Sequence, residues 1–127
     1  MMGLKRLMFV AAGGALGAAA RYGVTGVAQR LSDSGFPWGT ATVNVSGSFL
    51  IGFIMTYGVE GSTMATEGRL FLVTGVIGGF TTFSALSYES VRLLQEGSLW
   101  LGLGNLALNV VLGLMGALLG VGAARLL

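Results

Sequence analysis

The chain predicts an all-α membrane protein with four transmembrane helices, and three observations carry that expectation. Hydrophobic residues make up 54% of the 127 and charged residues only 9%, with a mean hydropathy of +0.82. A soluble domain carries about 25% charged residues, so this chain lacks the material for a water-facing surface. The apolar residues fall in four runs, each near the roughly 20 residues that cross a bilayer as a helix. Finally, 23 glycines are scattered through those runs. Without a repeat period, they suit membrane helices packed closely together.

The first span covers residues 4–27 and ends before "QRLSDSGFP", a polar turn stretch. Its beginning, "MMGLKRLMFVAAGGALGAAAR", shares a basic start, an apolar run and small residues with a secretory signal peptide. The apolar run outlasts a signal peptide's core and continues past Arg21 into "YGVTGVA", so it reads as a span. The second covers residues 38–59 and stops at "EGSTMATEGR". The third covers residues 70–94, and the fourth follows "QEGS" over residues 99–126. The connections are short, so residues 1–127 form a single four-helix transmembrane domain, with both termini on one side.

Orientation is left open by charge. Lys5, Arg6, Arg69 and Arg125 fall on the side of the termini, and Arg30 and Arg92 on the other. Basic loop residues normally mark the cytoplasmic side. So small an excess fits a protein with its termini inside. It equally fits a chain that inserts both ways and pairs with its inverted twin.

Polar residues inside the spans are the candidate functional positions. Thr40, Asn44 and Ser48 are four apart and share a helical face. An asparagine in hydrocarbon needs a partner or water. Here it is either interhelical glue or the wall of a polar path. Asn105 and Asn109 repeat the spacing, and Gly113, Gly116 and Gly120 continue near that face. Arg21 lies inside the first span. It either snorkels to the interface or lines an aqueous vestibule that attracts anions. Glu89, at the far end of span three, is equally ambiguous. "GLGNLA" fits a dinucleotide fingerprint by letters alone, since no strand precedes it and no acidic residue follows at the required distance.

The most informative stretch is "GGFTTFSALSYE", residues 78–89. Non-helical backbone at membrane depth is tolerated only where it is buried in protein or lines a cavity. A break there offers free carbonyls from one half-helix and free amides from the next. Gly78 and Gly79 permit such a break, and Thr81 and Thr82 can cap the restart. Phe83, Ser84 and Ser87 then project from the new helix. The competing reading is a continuous glycine-rich helix whose hydroxyls bond back to its own carbonyls.

These residues carry a resemblance. "GGFTTFSALS" at 78–87, "GTATVN" at 39–44 and the late Arg21 of the first span occur in order in a four-span chain. In this the chain resembles the Fluc/CrcB family of bacterial fluoride channels along essentially its whole length. The resemblance implies a multi-pass protein of the bacterial inner (plasma) membrane. It would assemble as an antiparallel dual-topology dimer, with the third helix of each protomer broken mid-membrane. Two narrow pathways would carry fluoride passively outward and confer fluoride resistance.

The resemblance also implies roles. The main-chain carbonyls of Gly78 and Thr81, with a second pair from the partner chain, would hold a structural sodium ion at the dimer centre. Asn44 would be a pore-facing donor and Phe83 the first of two pore phenylalanines. Thr40, Thr82, Ser84 and Asn109 would line the polar tracks. Arg21 matches the vestibule arginine and Glu89 the glutamate just past the signature. The chain departs from the family at Leu86, where the second phenylalanine belongs, and at Ala85, where a threonine belongs. Those departures leave open a slower channel, a different selectivity, or pairing with a paralogue that supplies the missing side chains.

Other classes fit less well. A small four-helix proton-coupled drug antiporter needs a membrane-embedded carboxylate. Asp33, Glu60, Glu67, Glu89 and Glu96 all fall at or near span ends. A non-conducting membrane subunit, needing a paralogue partner, would use every glycine and asparagine as packing glue. No nucleophile–base pair can be assembled for an enzyme. With no cysteine and no histidine, disulfides, zinc sites and an imidazole base are excluded. Nucleic acid is not an expected partner; fluoride, the lipid bilayer and a second copy of the chain are.

Overall fold

The computed structural model describes residues 3–127. All regular structure in them is helical: α1 (Leu4–Ser32), α2 (Trp38–Glu60), α3 (residues 66–80), α4 (Phe83–Gln95) and α5 (Leu99–Arg125). Four stretches are long and apolar enough to cross a membrane, namely α1, α2, α5 and the stretch Thr66–Gln95 that contains α3 and α4. Two of these segments are longer than the expected spans. α1 runs on to Ser32 rather than ending near residue 27, and α3 starts at Thr66 rather than near residue 70.

Both differences have local causes. The Gln29 side-chain amide donates to the carbonyls of Ser34, at 2.8 Å, and Phe36, at 2.9 Å. Its Oε1 accepts from the Gly39 amide at 3.3 Å. The turn is thus wrapped around a residue that must itself remain helical. Asp33 then ends α1 in the left-handed region at φ 43°. At the start of α3, extended Ala65 precedes Thr66, and Glu67 lies in the first turn, where a negative charge is favourable.

Within α2 and α3, residues Met55–Glu60 and Leu70–Ile77 are wound as π-helix, with hydrogen bonds reaching five residues back. Connections at residues 33–37, 61–65 and 96–98 make successive spans antiparallel. The most extensive packing is α2 on α5 and α1 on α3, with α4 against α5.

Small residues make these crossings possible. A side chain on Gly17 of α1 would strike the carbonyl of Val76, and one on Gly120 of α5 the carbonyl of Phe49. Backbones meet directly at both points, as in membrane helices joined through small residues four apart. Gly13 and Gly17, Gly75 and Gly79, and Gly116 and Gly120 all have that spacing.

The interior is inverted relative to a soluble bundle. Three side chains that are among the most completely enclosed are Val43, Asn105 and Ser90, two of them polar. Meanwhile Leu114, Leu118 and Leu119 of α5 face outward, at 64%, 72% and 65% exposure. An apolar outside around a partly polar inside is what a lipid solvent requires. Exposed Trp38 and Trp100 open α2 and α5 at the same end of the bundle, a placement suited to a membrane interface.

Candidate functional site

Between α3 and α4, Thr81 (φ −87°, ψ 157°) and Thr82 (φ −151°, ψ 111°) adopt extended backbone. Gly78 and Gly79, expected to permit the interruption, are themselves helical. They serve a different purpose. A Cβ on Gly79 would lie 2.7 Å from the Gly14 carbonyl, so that glycine lets α1 and α3 touch.

The two extended threonines are held by side chains. Asn44 grips Thr82 from both sides: its Oδ1 accepts the Thr82 amide at 2.8 Å and its Nδ2 donates to the Thr82 carbonyl at 3.1 Å. The Thr82 hydroxyl caps α4 by accepting from the Ala85 amide at 3.1 Å. The Thr81 hydroxyl turns back to the Ile77 carbonyl at 3.1 Å. Ser84 lies on the exposed side, its hydroxyl 3.4 Å from that of Thr82.

These bonds redirect the local amides. The Thr82 amide would serve the Gly78 carbonyl in a continuous helix, and the Ala85 amide that of Thr81. Both now serve side-chain oxygens, which leaves the Gly78 and Thr81 carbonyls without those helical donors. Bare main-chain oxygens at an unwound turn are the ligand type that suits a small hard cation. The residues therefore fit the sodium ion that the resemblance implies.

Asn44 also reaches α5. Its second N–H donates to Asn109 Oδ1 at 2.9 Å, so both of its amide protons are engaged within the protomer. Behind it, the Asn109 amide nitrogen donates to the carbonyl and Oδ1 of Asn105, at 2.9 and 3.1 Å. Asn105 in turn donates to Ser90 Oγ at 3.0 Å. Beside this chain of amides lies an open cleft of about 310 Å³, lined by Asn44, Thr81, Thr82, Phe83, Leu86 and Asn109 among others. These candidate residues thus share one cavity. Phe83 projects from the protomer at 78% exposure, whereas Leu86 is tucked in at 4%.

Thr40 and Glu89 form a second group. The Thr40 hydroxyl donates to Glu89 Oε1 at 2.7 Å, and Glu89 Oε2 is buried without a hydrogen bond in the protomer. Two clefts flank the carboxylate. One of about 240 Å³ includes Gln29 and Arg92, and one of about 490 Å³ includes Tyr22 and Arg30. Arg21 stands with neither group. Its Nε donates to the Gly79 carbonyl at 2.9 Å, tying α1 to the last turn of α3.

Sequence reasoning did not single out Ser90 and left Asn105 without a role of its own. The four-residue spacing of Asn105 and Asn109 was the available signal. The Ser90 contact spans two helices and has no local signature.

Helices of membrane length around an internal seam of amides and hydroxyls define a multi-pass membrane protein. Residues 8–121 match the family model described as CrcB-like protein, Camphor Resistance (CrcB), and the chain belongs to that family. Among its relatives, a protein of Thermus thermophilus named "Fluoride-specific ion channel FluC" is 48% identical over 94% of this chain and 96% of its own. Proteins with the same name from Geobacter sulfurreducens and Clostridium perfringens are 44% and 39% identical. They cover 94% and 100% of this chain, and 96% and 99% of their own. Such relatives are channels, and this chain belongs with transport proteins rather than enzymes.

Proposed function

We propose that this chain forms a fluoride-selective channel of the bacterial plasma membrane and exports fluoride passively. Its relatives' names support the anion, and the Asn44 arrangement supports the path. That amide, gripped by the extended Thr82 backbone at the edge of a polar cleft, is the observation that carries the reading.

Fluoride holds its water strongly, so a selective path must replace that shell with donors yet release the ion. Asn44 and Asn109 bring amide groups, and Thr82 brings a hydroxyl. Phe83 adds the positive edge of its ring. Because both Asn44 protons are engaged, the arriving anion exchanges with the Asn109 oxygen rather than meeting a bare donor. That exchange keeps binding weak enough for passage. Arg21, Arg30 and Arg92 draw anions toward the mouth, while Thr40 holds the Glu89 carboxylate aside. Fluoride that enters a cell as HF in acid and dissociates inside leaves through this path as the anion.

The functional unit is an antiparallel dimer with two pathways, and the third span is broken mid-membrane at Thr81–Thr82. Two features support this: extended residues near the middle of Thr66–Gln95, and an exposed Phe83 that needs a neighbour. The carbonyls of Gly78 and Thr81 would hold sodium at the dimer centre, and its charge would offset the negative ends of the broken helices. In a bacterium sensitive to fluoride, expression of this chain restores growth on fluoride medium. Failure to do so, with the protein present in the membrane, would count against the reading.

A further inference from the structure

Asn105 lines no part of the cleft beside Asn44, yet it is fully enclosed, and both N–H groups of Asn109 point at it. Resting on the channel reading above, we infer that Asn105, backed by Ser90, is a positioning residue that fixes which way the Asn109 amide faces in the fluoride path.

The Thr82 backbone presents one donor and one acceptor, so the Asn44 amide fits it in one orientation only. The remaining Asn44 N–H then demands an oxygen, and Asn109 supplies its Oδ1 at 2.9 Å. This leaves the Asn109 NH₂ facing away, where the carbonyl and Oδ1 of Asn105 accept it. Asn105 is held in that orientation because its own NH₂ donates to Ser90 Oγ. Ser90 is 2% exposed and Asn105 0%, so neither has water as an alternative partner. Every amide in the row points the same way.

The consequence is electrostatic. A carbonyl oxygen turned into the cleft would repel an anion, and the row keeps the Asn109 oxygen occupied on Asn44. Without the Asn105 side chain, the Asn109 NH₂ keeps the main-chain carbonyl of residue 105 but loses Oδ1, and a buried amide with one N–H unpaired rotates to find another acceptor. Its oxygen then faces the path for part of the time.

Asn105→Leu removes the side-chain acceptor and leaves the main-chain carbonyl, whereas Asn105→Asp is nearly isosteric and still offers side-chain oxygens to Asn109. Fluoride flux per active channel, the fraction of vesicles that are active, and the side-chain amide NMR signals of Asn44 and Asn109 separate the possibilities. Asn105→Leu lowers flux per channel roughly tenfold, the scale of one lost buried hydrogen bond, with the active fraction unchanged. It also moves or splits both amide signals. Asn105→Asp keeps those signals near their original positions and recovers most of the flux. A loss confined to the active fraction, or equal losses in the two variants, would overturn the inference and leave Asn105 as packing.

Should Asn105→Leu fail to fold, Ser90→Ala removes the support from behind and gives the same amide signature in milder form. Unchanged signals there would overturn the inference as well. The NMR readout needs no transport. If the unmodified protein carried no fluoride, the channel reading would fall while the positioning claim was still decided by the signals.

Discussion

The Nε of Arg21 donates to the carbonyl of Gly79 at 2.9 Å, joining α1 to the last helical turn before the extended threonines. The C-terminal end of a helix carries partial negative charge, and a guanidinium there is both a hydrogen-bond donor and a charge complement. The arginine thus ties the bundle together, and it does so beside the residues proposed to line the ion path.

Arg21→Ala is expected to cost about 1.5–3 kcal/mol, because the Gly79 carbonyl loses a charged donor in a half-buried place. Arg21→Lys recovers only part of this, since an ammonium on a flexible stem does not reproduce the fixed direction of Nε–H. Thermal unfolding in detergent, followed by the fluorescence of Trp38 and Trp100, measures both. Fluoride flux falls in the same order if the charge also draws anions.

Thr40→Val leaves Glu89 Oε1 without its donor beside an Oε2 that already lacks one. A loss of about 1–3 kcal/mol is expected. The Glu89→Gln change costs less in the Thr40→Val background than alone. A double-mutant cycle on unfolding temperature reads this coupling.

Leu86 stands beside Phe83 in the cleft of about 310 Å³ and is itself nearly enclosed. Leu86→Phe replaces an inert side chain with a ring whose edge attracts anions. Fluoride flux through vesicles is expected to rise while chloride stays excluded. Unchanged flux would show that Leu86 does not border the conducting path.

At the crossing of α5 on α2, Gly120→Val drives a side chain into the Phe49 carbonyl, with an expected cost of about 1–3 kcal/mol. Gly122→Ala meets nothing within 4 Å and is expected to be nearly neutral. Unfolding temperatures of the pair separate a packing effect from a general intolerance of the helix to change.

The spans were legible because hydropathy is a property of local sequence and lipid imposes it strongly. Their ends were less so. The extension of α1 to Ser32 depends on Gln29 closing a turn around its own side chain, a contact with no periodic signature. Within the motif at residues 78–87 the extended residues are Thr81 and Thr82, while the glycines stay helical and bring α1 close. Glycine permits both outcomes, and only tertiary packing chooses. Asn44, Asn109 and Thr82 could be named from sequence as polar residues in costly places. That Asn44 spends both protons inside the protomer, and that Ser90 anchors the row, arises from the meeting of three helices.

The most direct test is efflux from liposomes containing only this purified protein, with fluoride and chloride measured side by side. A fluoride-selective path gives rapid fluoride loss with chloride retained, and slow fluoride loss in the Asn44→Leu variant. Equal loss of the two anions, or no fluoride loss from vesicles shown to contain folded protein, would contradict it.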